Sequence, residues 1–474
     1  MLFRAGILIA FCAVAVAAQS PAPSAVEARG FFREYALDHA GSGPAIVAVD
    51  EDDNVWVALA KSGKLARFAN GSIELFDIGA ESRPVGLAAG TRANGHAGAV
   101  WIAASYDNKL IRFDVASRRA REYKIKDENS WPFNVALGPE GSVWFTQRAS
   151  ARIGRLDAAT GVVQHFDLPT PNSGPAGLAV DQRSGRVWFT ESYADRVGVL
   201  EPRTGQFREY KMSDSSTGLV SGPAGLALDE LGGVWFAKLE GKLGHLAAGS
   251  ERIELIDVPA AAKRPAGITV APDGHVWAVA LDGNLLLRYS PRGRAFTLYQ
   301  LPTGRPDEQP STPPQAKTSR PFGVAVDRQG NVWCSEQYTG QLAVLDVAPP
   351  RLDILSPSGT VRTAEALYAI RALDRVGGVQ RLTAKLDGVV VTPSHGRLSL
   401  HTLLPGRHRF ELTATDAAGL STSTEVTFEY APGPLALQEM LRELTPSGRA
   451  GAEAQKALLA AARNLDKGDV WENL

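Results

Sequence analysis

Short apolar and β-branched runs alternate with Gly, Asp and Asn turns through most of the chain, and a Val-Trp pair recurs within them. Successive tryptophans of these pairs are 42 to 56 residues apart. That spacing fits a unit of four short strands, as in one blade of a β-propeller. Seven such pairs predict an all-β fold, a seven-bladed β-propeller with four-stranded blades. The tryptophans are Trp56, Trp101, Trp144, Trp188, Trp235, Trp277 and Trp333.

The repeat that starts at Gly174 shows the four strands directly. It contains an apolar inner strand, GPAGLAVD, a second strand, RVWFTE, a third strand, RVGVLEP, and an alternating outer strand, QFREYKM. Turn residues separate these runs, as hairpins require. A blade cannot bury both of its faces alone, so neighbouring blades must stack. We expect the tryptophans to fill the spaces between blades.

The last repeat stops after its third strand, which leaves its blade one strand short. The segment Phe31–Leu37, FFREYAL, resembles the outer strand QFREYKM and precedes the first inner strand. We therefore predict that the N-terminal strand 31–37 completes blade 7 and closes the ring without an exposed edge. The predicted propeller spans residues 31–347.

Two further pieces follow the propeller. Residues 348–432 alternate in polarity and predict a small β-sandwich, and the phrase ELTATDAAG resembles bacterial immunoglobulin-like (Ig-like) modules. Residues 435–474 contain LALQEMLREL and AEAQKALLAAARNL, whose periodicity predicts a short C-terminal helical segment. This tail resembles part of the FIMAH helical domain of secreted bacterial proteins.

The N-terminus carries an export pattern. Arg4 precedes an apolar run, Ala5–Ala18, which ends in small residues, so residues 1–18 predict a signal peptide. A membrane anchor is the alternative, but the run is shorter than the ~20 residues that a span needs. We expect an exported protein, periplasmic or extracellular, with no transmembrane segment after cleavage. The net charge of −1 does not favour nucleic acid as a partner.

Candidate chemistry gathers at one face of the predicted ring. Each inner strand begins with a Pro-x-Gly-like step, and the third residue after each tryptophan ends the second strand. Because adjacent strands run in opposite directions, both positions lie on the same face, which we call the Pro-x-Gly face. The residues that end the second strands are Leu59, Ala104, Gln147, Glu191, Lys238, Ala280 and Glu336.

The phrases VWFTQRASARIGRLDAATGVVQHFDLPTPNSGPAGLAVD and VWFTESYADRVGVLEPRTGQFREY resemble the virginiamycin B lyase family, over roughly residues 31–346. The resemblance implies a seven-bladed propeller that opens streptogramin antibiotics by metal-assisted elimination. It also implies Mg²⁺ held by two glutamates, with histidines for acid–base work. Glu191 and Glu336 match one glutamate position. The family's Glu-x-His pattern at a Pro-x-Gly step is missing from every blade.

The missing pattern favours a binding face over an efficient lyase, because elimination needs a base within reach of the proton. Cations before the prolines would attract anionic groups, and aromatic residues at the same steps would wall a pocket. We expect a small molecule, a peptide, a glycan or a cell-envelope protein as the ligand. The candidate ligand-binding residues are Arg83, Trp131, Phe133, Asn134, Gln147, Glu191, Tyr193, Lys238, Arg264, Arg320, Phe322 and Glu336.

Alternative interpretations stay open at this point. An active lyase would use Glu191 and Glu336 near a divalent ion, whereas structural salt bridges would explain the same glutamates, with Arg320 as a partner for Glu336. The phrase RPFGVAVDRQGNVWCSE resembles NHL repeats, which often bind partners without catalysis. A gluconolactonase-like hydrolase would need a metal set that includes an asparagine, for which Asn134 is the candidate.

Overall fold

The computed structural model describes residues 23–433, apart from 80–82, 128–129, 213–221, 304–317, 393–396 and 401–402, together with Ala436. The predicted signal peptide, 1–18, lies outside the described residues, as does the predicted helical tail except for Ala436. In the part of the chain that the structure describes, no helix is both long and apolar enough to span a membrane.

Seven antiparallel sheets form the blades of a propeller, which confirms the predicted fold class. Two strands precede the first blade, β1 (Ser24–Ala28) and β2 (Phe31–Ala36). Blade 1 contains β3 (Pro44–Val49), β4 (Val55–Leu59), β5 (Lys64–Ala69) and β6 (Ser72–Asp77). Blade 2 contains β7 (Pro84–Ala89), β8 (Ala99–Ala104), β9 (Lys109–Asp114) and β10 (Arg119–Lys124). Blade 3 contains β11 (Pro132–Leu137), a 3₁₀ turn (Pro139–Gly141), β12 (Val143–Gln147), β13 (Arg152–Leu156) and β14 (Val163–Asp167).

The remaining blades repeat this order. Blade 4 contains β15 (Pro175–Val180), β16 (Val187–Glu191), β17 (Arg196–Glu201) and β18 (Gln206–Lys211). Blade 5 contains β19 (Pro223–Leu228), β20 (Val234–Lys238), β21 (Lys242–Leu246) and β22 (Ile253–Asp257). Blade 6 contains β23 (Pro265–Val270), β24 (Val276–Ala280), β25 (Leu285–Ser290) and β26 (Ala295–Gln300). Blade 7 contains β27 (Pro321–Val326), β28 (Val332–Glu336), β29 (Gln341–Asp346) and the N-terminal β2.

The ring closes through strands from both ends of the propeller. Strand β2 runs antiparallel to β29, with Phe31 opposite Asp346 and Ala36 opposite Gln341. Each inner strand contacts the inner strand of the next blade, and β27 contacts β3. Strand β1 adds to blade 6 as a fifth strand, parallel to β26, which the sequence repeat did not indicate. Strand β2 therefore covers the edge of β29, and β1 covers the edge of β26.

The repeated tryptophans are buried between blades. Trp56 of blade 1 packs with Ile102 and Phe113 of blade 2, and Trp333 of blade 7 packs with Phe68 of blade 1. Burial of an indole requires a partner for its N–H group. In three blades an aspartate at the preceding turn accepts that hydrogen bond. The pairs are Trp56 with Asp50 (2.8 Å), Trp235 with Asp229 (3.3 Å) and Trp333 with Asp327 (3.0 Å).

A second unit, residues 351–430, follows blade 7 and is also built from strands. Its strands are β30 (Arg351–Ser356), β31 (Gly359–Val361), β32 (Glu365–Leu367), β33 (Ala369–Leu373), β34 (Val379–Leu386), β35 (Val389–Val391), β36 (Arg397–Ser399), β37 (Gly406–Asp416) and β38 (Ser421–Tyr430). They form a five-stranded sheet, β31-β38-β37-β34-β35, and two strand pairs, β30-β33 and β32-β36. Residues from all three sheets share one core around Phe410 and Phe428. The immunoglobulin-like assignment of this C-terminal unit stays a prediction.

Candidate functional site

Strand register places the Pro-x-Gly steps and the residues that end the second strands at one edge of the ring. In blade 4, Pro175 at the start of β15 lies opposite Glu191 at the end of β16. In blade 7, Pro321 lies opposite Glu336 in the same way. The other pairs are Pro44 with Leu59, Pro84 with Ala104, Pro132 with Gln147, Pro223 with Lys238, and Pro265 with Ala280. The Pro-x-Gly face is therefore one continuous edge.

The residue before the proline has a left-handed backbone in most blades. In four blades this position carries a large side chain: Arg83 (φ 39°), Trp131 (φ 52°), Arg264 (φ 56°) and Arg320 (φ 57°). Residues other than glycine rarely adopt this conformation, and each instance costs of order 1–3 kcal/mol. Strain of this kind clusters at functional sites. This strained conformation recurs at one edge of the ring, which makes the side chains there candidates for a functional site.

Arg83 and Trp131 both contact Tyr106. The Arg83 guanidinium lies 4.2 Å from the centre of the Tyr106 ring, and Trp131 contacts Tyr106 edge-on with ring centres 6.0 Å apart. Tyr106 is 60% exposed and Trp131 is 41% exposed. Both rings border a surface pocket that Ser105, Asn108 and Ala149 also line. Exposed rings beside a cation provide a surface for stacking a planar group.

A second cation lies between aromatic rings in blades 3 and 4. The Arg148 guanidinium is 4.6 Å from the centre of the Phe133 ring and 5.0 Å from that of Tyr193. Its Nε donates a hydrogen bond to the Tyr193 hydroxyl at 3.0 Å. Gly174 has φ 63°, and a Cβ there would lie 2.4 Å from the Tyr193 ring. The glycine therefore lets the Tyr193 ring lie against the backbone, within reach of Arg148.

The cations of blades 6 and 7 have partners on the same edge. Arg320 donates a hydrogen bond from Nη1 to the Tyr338 hydroxyl at 2.6 Å. Arg264 lies 3.5 Å from the Asp282 carboxylate. The predicted pairing of Arg320 with Glu336 is therefore wrong, because the guanidinium extends over the exposed Tyr338 ring instead.

Glu191 and Glu336 are fully buried beneath this face. Burial raises the pKa of Glu191 to about 7, with an added contribution from the Glu209 carboxylate. Burial raises the pKa of Glu336 to about 8, and the nearby Glu34 adds to the shift. Thr339 donates a hydrogen bond to Glu336 Oε2 at 2.9 Å, whereas neither oxygen of Glu191 accepts one. Glu336 is therefore mostly protonated at neutral pH, whereas Glu191 is divided between its protonated and ionised forms.

Lys238 does not present its charge to the face, which corrects the prediction. Its side chain is 2% exposed, and its ammonium pairs with Asp195 at 3.3 Å and Glu240 at 2.6 Å. A buried ammonium needs such partners, because an unpaired buried charge is very costly. Gln147 is also buried, and its Oε1 lies 2.8 Å from His165 Nδ1. Lys238 and Gln147 therefore lie inside the blades and do not face solvent.

His165 on outer strand β14 reaches the end of β12 through its contact with Gln147. Burial lowers the pKa of His165. His39 is exposed and lies beside the Gly340 turn at the Pro-x-Gly face. The other described histidines contact turn, tryptophan or C-terminal residues: His96, His245, His275 and His408. His395 and His401 lie outside the described residues.

The two remaining candidates lie on inner strands and are half-buried. Asn134 accepts a hydrogen bond from the Val135 N–H through its side-chain oxygen, and its own N–H donates to Thr146. Phe322 follows Pro321 at the start of β27, and its carbonyl oxygen would lie 2.2 Å from a Cβ on Gly267. Glycine at that step therefore permits neighbouring inner strands to approach closely.

Sequence reasoning missed Tyr106, Arg148 and Tyr338. All three follow the end of a second strand, in the turn that leads to the third strand. Tyr106 and Tyr338 occupy the same place in that turn as Tyr193, two residues beyond the strand. Reading this turn position through the repeats would have found both tyrosines.

The implied magnesium does not fit the two glutamates as one chelating pair. Glu191 belongs to blade 4 and Glu336 to blade 7, with two blades between them in the shorter direction. Each carboxyl is enclosed in its own blade. Two residues that bind one divalent ion must place their oxygen ligands within one coordination sphere. Glu191 and Glu336 therefore do not form one Mg²⁺ site at this face.

Comparison with known proteins identifies the relatives of this propeller. A model of the virginiamycin B lyase family matches residues 18–289. A streptogramin B lyase structure is 24% identical with a TM-score of 0.58, covering 67% of this chain and 97% of the other. Virginiamycin B lyase from Staphylococcus aureus is 21% identical, with a TM-score of 0.58 and coverage of 67% and 99%. These structures share the fold. No curated protein matches significantly.

Proposed function

The chain belongs to the virginiamycin B lyase family, and we propose that its Pro-x-Gly face binds a ligand without efficient lyase activity. One contrast carries the proposal. The glutamates at the family position are fully buried and have raised pKa values, whereas the cations and rings of blades 2 to 4 are exposed or half-buried. Recognition can use accessible groups directly, but elimination needs a base that reaches the substrate.

The accessible groups define the class of ligand. Arg83 with Tyr106 and Trp131, and Arg148 with Phe133 and Tyr193, each combine a guanidinium with aromatic rings. A guanidinium binds a carboxylate through paired N–H groups, and the rings stack on planar or apolar surfaces. We propose a carboxylate-bearing small molecule, peptide or glycan.

The predicted signal peptide would deliver this face to the periplasm or the medium. A cell-envelope protein with an acidic segment could present the same carboxylate group to this face. Such a protein would have to place a carboxylate and a ring or sugar against blades 2 to 4. The ligand class is therefore the same for a free molecule and for an envelope partner.

An active lyase is the second candidate, a carbon–oxygen lyase that opens a cyclic depsipeptide or lactone. It is favoured by the raised pKa of Glu336, about 8, because a group that titrates near neutral pH can exchange a proton with a substrate. His39 at the same face would be the imidazole closest to the family chemistry. Mg²⁺ would enter only in this second candidate.

Turnover separates the two candidates. The full chain is incubated with quinupristin and MgCl₂, and ring opening is followed by mass spectrometry. We expect no opening beyond the protein-free control, because losing a general base typically costs ~10²–10⁴ in rate. Rapid opening that Glu336→Gln abolishes would overturn the proposal and establish the lyase.

Binding is tested by calorimetric titration with quinupristin and by an array of acidic peptides and glycans. We expect at least one probe to bind, with affinity about tenfold weaker or worse for Trp131→Ala and for Arg148→Ala. Arg208→Ala, on outer strand β18, is the matched control and should bind like the parent. Absence of binding to every probe, or equal binding by all variants, would contradict the proposal.

A further inference from the structure

Three aspartates meet where the propeller joins the C-terminal unit. Asp346 ends β29 of blade 7, Asp374 follows β33, and Asp416 ends β37. One carboxylate oxygen from each lies within 4.8 Å of the others. Among the described residues this is the group of acidic side chains close enough to share an ion. It lies apart from the Pro-x-Gly face and from both family-position glutamates.

Burial makes this arrangement costly without a cation. Asp346 is 4% exposed and Asp416 is 3% exposed. Neither oxygen of Asp346 nor Oδ2 of Asp416 accepts a hydrogen bond of regular geometry, although the N–H groups of Gly377 and Ala348 lie near the Asp346 carboxylate. Buried carboxylates are ordinarily paired or hydrogen-bonded, because desolvation of an unpaired charge is expensive. Oxygens left in this state, and directed at one another, indicate a missing positive partner.

Protein cations do not supply that partner. None of the ion pairs found among the described residues includes Asp346, Asp374 or Asp416. Arg375 is adjacent in sequence, but its guanidinium contacts Asp53 at 2.8 Å and Asp327 at 3.9 Å. Burial, together with the charges of the other two aspartates, raises the pKa of Asp346 to about 7.

The backbone holds two of the three carboxylates in place. Asp374 Oδ1 accepts the N–H of Val376 at 3.1 Å and of Gly378 at 2.6 Å. Asp416 Oδ1 accepts the N–H of Leu420 at 2.8 Å. Asp374 and Asp416 therefore each use one oxygen for their own turn, and Oδ2 of Asp416 is left without a hydrogen-bond partner.

Gly377 forms one wall of the cluster. A Cβ on this residue would lie 2.7 Å from Asp346 Oδ2 and 3.3 Å from the Asp416 Cβ. A side chain at this position would occupy space beside the carboxylates, so glycine keeps that space open.

We infer that Asp346, Asp374 and Asp416 bind Ca²⁺ and that the ion joins the C-terminal unit to the propeller. Three atoms no more than 4.8 Å apart leave a point within about 2.8 Å of each, close to Ca–O distances of ~2.3–2.6 Å. Mg²⁺ requires ~2.0–2.1 Å and near-octahedral geometry, so it would need a larger contraction. The ion would bridge strands from two units and stabilise their junction.

Calorimetry and thermal unfolding of the EDTA-treated full chain test the inference. We expect one site for CaCl₂, a rise in Tm with CaCl₂, and a weaker response to MgCl₂. Asp346→Asn should weaken Ca²⁺ binding at least tenfold. Asp353→Asn, an aspartate of the same unit outside the cluster, should bind Ca²⁺ like the parent.

The direction of the change in Tm, measured in EDTA, distinguishes loss of the ion from misfolding of the variant. Without a metal, Asp346→Asn should melt at or above the parent because it removes repulsion between buried carboxylates. With CaCl₂ it should melt below the parent. Asp374→Asn, whose carboxylate is partly exposed, is the second variant if Asp346→Asn fails to fold. No response of the parent to Ca²⁺, a stronger response to Mg²⁺, or unchanged Ca²⁺ binding in the cluster variant would overturn the inference.

Discussion

Closure of the ring by β2 can be tested by truncation. A protein that begins at His39 lacks β2 and Leu37, and it leaves the β29 edge unpaired. Leu37 is 4% exposed, and Phe31, Phe32 and Tyr35 are half-buried. The Tyr35 ring also lies 4.6 Å from the Phe68 ring of blade 1, measured between centres. The deletion therefore removes contacts to both neighbouring blades.

The size of the effect follows from the buried surface. A fully buried leucine stabilises by ~1.5–3 kcal/mol, and three half-buried aromatic side chains add about 1 kcal/mol each. The loss is about 5 kcal/mol, a large part of the ~5–15 kcal/mol that stabilises a typical protein. For a ring of this size we expect a fall in Tm of roughly 5–10 °C.

The matched control is a protein that begins at Gly30. It lacks β1, which pairs with β26 at the outside of blade 6 and is mostly exposed, but it keeps β2. We expect its Tm to change by about 2 °C or less. Differential scanning calorimetry compares both truncations with the parent. A protein beginning at His39 that melts like the Gly30 control would refute the argument that β2 closes and stabilises the ring.

Two further predictions concern the blades. Gly198→Ala should lower the free energy of unfolding by about 1–3 kcal/mol, because the new Cβ would lie 2.2 Å from the Phe189 ring. Urea unfolding measures this change, and recovery of stability by a second change, Phe189→Leu, would identify the clash. Equal urea midpoints for Gly198→Ala and the parent would contradict the prediction. Glu336 keeps its proton up to about pH 8 when folded, against an ordinary pKa of 4.5, so its contribution to stability falls as pH rises between those values. Glu336→Gln should therefore gain Tm relative to the parent from pH 5 to pH 8, and parallel pH profiles would exclude this explanation.

Much of the propeller could be predicted because the strands of each blade pair with strands that are close to them in sequence. A blade consists of successive hairpins, so the Val-Trp spacing and the turn residues predict its strands from neighbours in sequence. The same logic extends to the outer-strand pattern of Phe31–Leu37, which lies beside β29 in the structure. The parallel pairing of β1 with β26 has no comparable signal, because it joins segments about 270 residues apart.

The candidate site was predictable in position but not in chemistry. Strand direction places Glu191 and Lys238 at the Pro-x-Gly face, yet burial raises the pKa of Glu191 to about 7 and pairs Lys238 with Asp195. Residue type alone does not reveal whether a charged side chain meets solvent. The contact of Trp131 with Tyr106 likewise depends on how blades 2 and 3 pack.

The sequence by itself determined the number of blades, the identity of their strands and the face where the two series of residues meet, since hairpins and alternation depend on nearby residues. Only the tertiary structure decided which of those residues are accessible. It also brought together Asp346, Asp374 and Asp416, which lie on three different strands or turns of two units. Burial and long-range contact depend on the packing of whole sheets, and no short stretch of sequence encodes that packing.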